Sequence, residues 1–319
     1  MKTFRILPIM IAAVLLFSSC GTRELQNTSV SGNNDITIVT SFYPMYIFTK
    51  NIVKDIEGVN VVNMAEPQTG CLHDYNLNPA DLKKIEKADI MVINGAGMET
   101  FIEKIINNRP QIKIIEASKG LELIKEDGHH DGDEHEHEAD NKHEGHDHSV
   151  NPHLWVSISG AIDEVKNICD QLKNADANNA KKYQSNTDEY VQKLETQKEK
   201  MYNALKDIEN RNIVTFNKAF PYLAKEFDLD VVEVIETDEG SSPSAGELSD
   251  KIKKIKELNV KALFSDAQVS SNLAQTVSKE TGINVYKIDT VVTGSDEIEL
   301  DYYEKTMDEN LNVLLEALK

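Results

Sequence analysis

Residues 177–208 read ANNAKKYQSNTDEYVQKLETQKEKMYNALKDI, with no glycine or proline. Within them Tyr183, Thr187, Tyr190, Val191, Leu194, Met201, Leu205 and Ile208 recur at spacings of three, four and seven, the mark of one apolar helix face. At 1.5 Å per residue such a helix is about 48 Å long. A coiled-coil seam is the competing reading, but Thr187 and Lys198 interrupt the stripe and no leucine-rich heptad is sustained. The expectation is a monomer in which one long helix spans two halves of the chain.

Both flanks of that helix alternate β-branched runs with amphipathic stretches. Upstream, strands are expected at 36–40, 59–64, 90–94 and 113–116, and helices at 44–56, 79–87 and 99–106. Downstream, strands are expected at 213–216, 231–235, 262–264 and 285–288, and helices at 219–226, 245–258, 273–281 and 302–318. This rhythm predicts an α/β fold of two Rossmann-like (β/α)4 domains, residues 35–176 and 210–319, joined by a rigid helix over 177–209. A stiff connector restricts large closing motions and leaves a site in the cleft between the halves.

Charge narrows the functions open to such a fold. The chain of 319 residues carries 34 Lys plus Arg against 54 Asp plus Glu, a net charge of −20. A nucleic-acid partner is excluded on that balance, because affinity for phosphate backbones comes largely from basic side chains. The excess is local: Glu126 to His148 hold ten carboxylates, seven of the nine histidines and one lysine, a charge of −9. Taking −9 from −20 leaves −11 for the rest, an ordinary acidic protein. At the start, Lys2 and Arg5 precede an apolar run from Ile6 to Phe17, too short to cross a bilayer and suited to an export signal over 1–19. Phe17-Ser18-Ser19-Cys20-Gly21 resembles a bacterial lipobox, with Cys20 acylated and residues 20–34, rich in Ser, Asn and Thr, as a flexible tether. The remaining cysteines, Cys71 and Cys169, are expected as unpaired thiols.

Outside the acidic insert only His73 and His153 are left, each in a loop that follows a strand. Ligands of open α/β sheets gather at such loops, although a single histidine there is more often a structural or surface residue than a ligand. The surrounding residues add a resemblance. His73-Asp74-Tyr75 with Pro79, Asp81 and Leu82, Ala88-Asp89, Asn94-Gly95-Ala96-Gly97-Met98-Glu99, Asn151-Pro152-His153-Leu154-Trp155, Ala219-Phe220-Pro221-Tyr222, Glu239 to Ser244, Phe264 to Gln268 and Tyr286-Lys287-Ile288-Asp289 follow one another in order. Together with the His-rich insert they resemble the ZnuA-like family of zinc and manganese ABC-importer substrate-binding lipoproteins, over nearly all of residues 35–319.

The resemblance implies a metal held in the cleft by His73, His153, a third ligand just before Ala219-Phe220, and Asp289. Neutral imidazoles and a carboxylate suit Zn²⁺. At the third position this chain departs from the family and has Asn217, whose carbonyl oxygen is a weak zinc donor and leans toward harder ions such as Mn²⁺. Asn217 is thus a weak ligand, a residue orienting water or a histidine, or a bystander. Three sources are open for the missing donor: Glu239, Cys71 two residues before His73, or a histidine of the insert.

The insert has no hydrophobic periodicity and is expected as a surface loop. His129, His130, His135, His137, His143, His146 and His148 alternate there with carboxylates and offer auxiliary zinc sites of mixed nitrogen and oxygen donors. The resulting expectation is a lipid-anchored, non-enzymatic binding protein on the outer face of the bacterial cytoplasmic membrane. It would capture a divalent metal, Zn²⁺ first, and deliver it to an ABC permease and its ATPase. The alternatives are a manganese or iron importer component and, from other classes, an adhesin, a zinc buffer or a secreted zinc hydrolase. The last is disfavoured because no glutamate is paired with histidines at the spacing of a helical zinc motif.

Overall fold

Two parallel sheets are built from the β-branched runs. In the first, β1 (Ile36–Thr40), β2 (Val59–Asn63), β3 (Ile90–Ile93) and β4 (Lys113–Glu116) lie in the order β2-β1-β3-β4. In the second, β5 (Asn212–Thr215), β6 (Asp230–Val234), β7 (Ala262–Asp266) and β8 (Val285–Ile288) repeat that order as β6-β5-β7-β8. The register pairs Val39 with both Val62 and Met91, and Val214 with Leu263. Strand β3 is buried at every position of its sequence IMVI, as expected where helices cover both sheet faces. These coordinates, a computed structural model, describe residues 35–69, 71–73, 75–125, 150–235, 243–267, 272–295 and 297–319. The expected signal, the tether with Cys20, the insert histidines and Glu239 lie outside the described residues.

The covering helices are α1 (Tyr43–Ile52), α2 (Pro79–Glu86), α3 (Ile102–Asn108), α4 (Ile158–Ala175), α5 (Ala180–Leu205), α6 (Pro221–Glu226), α7 (Ala245–Glu257), α8 (Asn272–Thr281) and α9 (Tyr302–Leu318). The connecting helix α5 is shorter than expected, 26 residues or about 39 Å. It packs on α1 of the first half and α9 of the second. Asn186 Nδ2 donates to the carbonyls of Ile52 and Lys54 at the end of α1, and Lys200 Nζ pairs with Asp308 of α9 at 2.6 Å.

Helix α4 is absent from the sequence expectation. Its apolar run of Ile158, Ile162, Val165, Ile168 and Leu172 is buried at helical spacing, and Ser157 Oγ caps its start by accepting from Gly160 N. The turn into α5 contains neither glycine nor proline, so nothing in composition separates the two helices. Instead Asp176 Oδ2 folds the corner, accepting from Asn179 Nδ2 and the Tyr183 hydroxyl, each at 2.8 Å. α4 and α5 therefore form a hairpin in which α4 packs on α1 and β4 of the first half and α5 is the helix that spans both halves.

Stitching between the halves is extensive. Glu226 on α6 accepts from Ile158 N and Ser159 N at 2.8 Å each, placing a carboxylate from the second half on the N-terminus of α4. Trp155 Nε1 donates to Thr290 O at 2.9 Å, and the Tyr303 hydroxyl donates to Trp155 O at 2.8 Å. One apolar cluster runs from Ile38 and Val92 through Trp155 to Phe220 and Leu311. The junction is a packed core, which opposes large relative movement of the halves.

Glu164 on α4 is fully buried and, among the described residues, neither carboxyl oxygen has a hydrogen-bond partner. Burial pushes its pKa well up, and the nearby carboxylates of Glu99 and Asp163 add to the rise. A raised carboxyl lends the folded state stability that is complete below its ordinary value of 4.5 and is lost as pH climbs. Glu164→Gln is therefore expected to match the parent near pH 4 and exceed it at pH 8, by on the order of 1–3 kcal/mol. Urea midpoints at the two pH values check this; equal differences at both would contradict it.

Candidate metal centre

The loops at the carboxyl ends of the strands meet at the junction of the halves. After β4 the chain leaves through Lys125 and returns through Val150, which form an antiparallel bridge; Asn151 N donates to Ile124 O at 2.8 Å. The insert thus springs from a closed neck, and the chain passes directly from it into Asn151-Pro152-His153.

Asn151 is almost fully buried and aims His153. Its Oδ1 accepts from His153 N at 3.0 Å and lies 3.1 Å from Nδ1, while its Nδ2 donates to Lys218 O at 2.7 Å. The Lys218 contact fixes which end of the amide is oxygen. Nδ1 therefore carries the proton and Nε2 presents its lone pair. Burial, with His73 adding to it, lowers the His153 pKa to about 3, so the imidazole is neutral, the form that binds metal. Trp155 stands beside it with ring centroids 5.2 Å apart.

His73, solvent-exposed on the loop after β2, brings its ring to 5.2 Å from that of His153. On the same loop, Cys71 Sγ lies 3.8 Å from His153 Nε2. Solvent reaches Cys71, yet protein atoms crowd it closely. That crowding and the neighbouring Asp266 push the thiol up to about 12 in the absence of a cation. Cys71 and Cys169 are both unpaired.

Around these groups the loops after β1 and β3 are tied together by Glu99. Its carboxyl accepts from Ser41 Oγ at 2.7 Å, Asn94 N at 2.8 Å and Gly95 N at 3.0 Å; burial still raises its pKa to about 7. Asn94 Nδ2 in turn donates to Pro152 O at 3.0 Å, bracing the residue before His153. Gly95 has φ +82, and a Cβ there would meet Glu116 at 2.3 Å, so the loop requires glycine.

In the second half, the loop after β8 holds Asp289 on clamped backbone. Asp289 N donates to Asn310 Oδ1 at 2.9 Å, Asn310 Nδ2 donates to Asp289 O at 2.8 Å, and Asp289 Oδ1 accepts from Val291 N at 2.7 Å. Val291 has φ +64, a conformation unfavourable for a β-branched residue and characteristic of functional loops. Asp266 ends β7 and accepts from the Thr290 hydroxyl. Asn217 uses its Oδ1 to accept from Ala219 N at 3.1 Å, closing a local turn.

His73, His153 and Cys71 are thus brought together, with Asp266 nearby. Even so, among the described residues no three His, Cys, Asp or Glu side chains stand ready to hold a metal ion without adjustment. Sequence reasoning missed Asn151, Asn94 and Glu99 as supports and Asp266 as a neighbour. All four lie in the stretches that carry the family resemblance, and Asn151 gave the further signal of standing two residues before His153.

Two Rossmann-like halves packed around a loop-lined junction, with imidazoles and carboxylates on those loops, have the architecture of a solute-binding receptor. The chain belongs to the ZnuA family, described as zinc-uptake complex component A, periplasmic, whose model matches residues 38–317. It is 33% identical over 318 residues to the high-affinity zinc uptake system protein ZnuA of Bacillus subtilis strain 168, covering 97% of this chain and 96% of that protein. Among solved structures it is similar to the Pseudomonas aeruginosa solute-binding protein FpvC in complex with Mn²⁺, at 28% identity and TM-score 0.77 over 89% of this chain and 98% of that one. Zn(II)-bound AdcA of Streptococcus pneumoniae matches at 26% identity and TM-score 0.70, over 89% of this chain and 58% of the longer AdcA chain.

Proposed function

We propose that this protein captures Zn²⁺ outside the cytoplasm and delivers it to an ABC import permease driven by its ATPase, acting as a lipid-anchored monomer. The observation that carries the reading is the His153 imidazole, held neutral by burial with Asn151 on its Nδ1 and the His73 ring 5.2 Å away, in a chain of the zinc-uptake family. His73 and His153 are the proposed imidazole ligands from the first half, and Asp289 the carboxylate from the second. Asn217 is kept as a weak oxygen donor whose Oδ1 also accepts from Ala219 N, as Asp289 Oδ1 accepts from Val291 N. Glu239 remains a further proposed oxygen donor. The chain is a receptor rather than an enzyme: it takes up metal stoichiometrically and turns nothing over.

Metal analysis of the purified protein, followed by competition between Zn²⁺ and Mn²⁺, tests the reading. Zinc is expected to win; preference for Mn²⁺ or iron would move the protein to the alternative importer class, which the Mn²⁺-bound FpvC relative keeps in view. Deleting Glu126 to His148 should lower zinc stoichiometry while leaving one tight site. Loss of the tight site as well would show that the insert supplies a ligand to the cleft rather than auxiliary sites.

A further inference from the structure

Where the family resemblance expects a third ligand, the second half has Asn217, whose Oδ1 accepts from Ala219 N at 3.1 Å. A different donor stands in the first half. Cys71 Sγ lies 3.8 Å from His153 Nε2, the nitrogen that Asn151 does not engage, and the His73 ring stands 5.2 Å from that of His153. Tetrahedral zinc with Zn–S near 2.3 Å and Zn–N near 2.05 Å sets a sulfur-to-nitrogen edge of about 3.6 Å. The observed separation is within a few tenths of an ångström of that edge, so one ion fits between sulfur and nitrogen after a small adjustment.

We infer that Cys71 is a ligand of the cleft metal, giving a site of one thiolate, the His73 and His153 imidazoles and a carboxylate from the second half. This rests on the cleft being the zinc site proposed above. As the metal–sulfur bond forms, the thiol proton passes to solvent and the sulfur donates a lone pair; no redox step is involved. The consequence is selectivity. A soft sulfur donor favours Zn²⁺ over Mn²⁺, which reverses the lean toward harder ions that Asn217 alone suggests.

Co²⁺ spectroscopy on the full-length protein tests the assignment, because a thiolate ligand gives cobalt an intense near-ultraviolet charge-transfer band that nitrogen and oxygen donors do not. With one equivalent of Co²⁺ the wild type is expected to show the band. Cys71→Ser should lose it, whereas Cys20→Ser and Cys169→Ser keep it. Zinc affinity of Cys71→Ser should fall about tenfold or more, with Mn²⁺ affinity nearly unchanged. Tight cobalt and zinc binding without the band, or a band that survives Cys71→Ser, would overturn the assignment and leave the zinc receptor standing. Failure of the wild type to bind either ion tightly would overturn both. The wild-type spectrum does not depend on the folding of any variant.

Discussion

Replacing His153 by alanine is expected to lower cleft zinc affinity roughly 10²–10³-fold. Structural zinc sites contribute about 10–16 kcal/mol over four ligands, so one ligand accounts for about 2.5–4 kcal/mol, and each 1.4 kcal/mol is a factor of ten. His153 should lie within that range because its preparation is already in place. It is neutral, its tautomer is set by Asn151, and its ring is held beside Trp155. The fold should survive the change, since the main hydrogen bonds of the loop do not use the imidazole. Tyr222 and Tyr303 bond the carbonyls of Asn151 and Trp155, and Trp155 Nε1 reaches Thr290. Competition against a chelating indicator, with Glu126 to His148 removed so that auxiliary sites do not mask the loss, measures the effect. A change below about threefold would exclude His153 from the metal shell.

How much of this site is legible before folding depends on whether a residue acts through its own chemistry or through a neighbour. His73 and His153 stand out because imidazoles are scarce outside the insert. The alternation of strands and helices is equally plain, because burial on a covered parallel sheet demands β-branched runs such as those of β1 and β3. Asn94 and Glu99 are different: an amide that braces Pro152 and a carboxyl that gathers three donors are common residue types, and their roles exist only through contacts with Ser41, Gly95 and Pro152. Asp266 shares that limitation, since only folding brings the end of β7 close enough for its charge to act on Cys71. The α4–α5 corner escaped because Asp176 and Tyr183 make the turn by side-chain bonding without a glycine or proline.

Asn151→Ala is expected to lower zinc affinity about 10–100-fold, although Asn151 is not itself a proposed ligand. His153 N and His153 Nδ1 lose their acceptor at once, and Lys218 O loses one donor. Without the acceptor at Nδ1 the imidazole samples the other tautomer, and in that fraction Nε2 carries a proton where the metal should bind. The buried His153 groups that lose their acceptor cost about 1–3 kcal/mol each where water cannot replace the amide, so unfolding stability should fall too. Asn151→Asp separates the two effects. A carboxylate still accepts from His153 N and Nδ1 but cannot donate to Lys218 O, so it should restore affinity to within about tenfold of the parent while stability stays reduced. Nitrogen NMR of the imidazole provides the independent reading: protonation at Nδ1 in the parent and in Asn151→Asp, and a mixture in Asn151→Ala. If Asn151→Ala keeps both the Nδ1 tautomer and the zinc affinity of the parent, the amide serves the loop alone and His153 is aimed by its packing against Trp155.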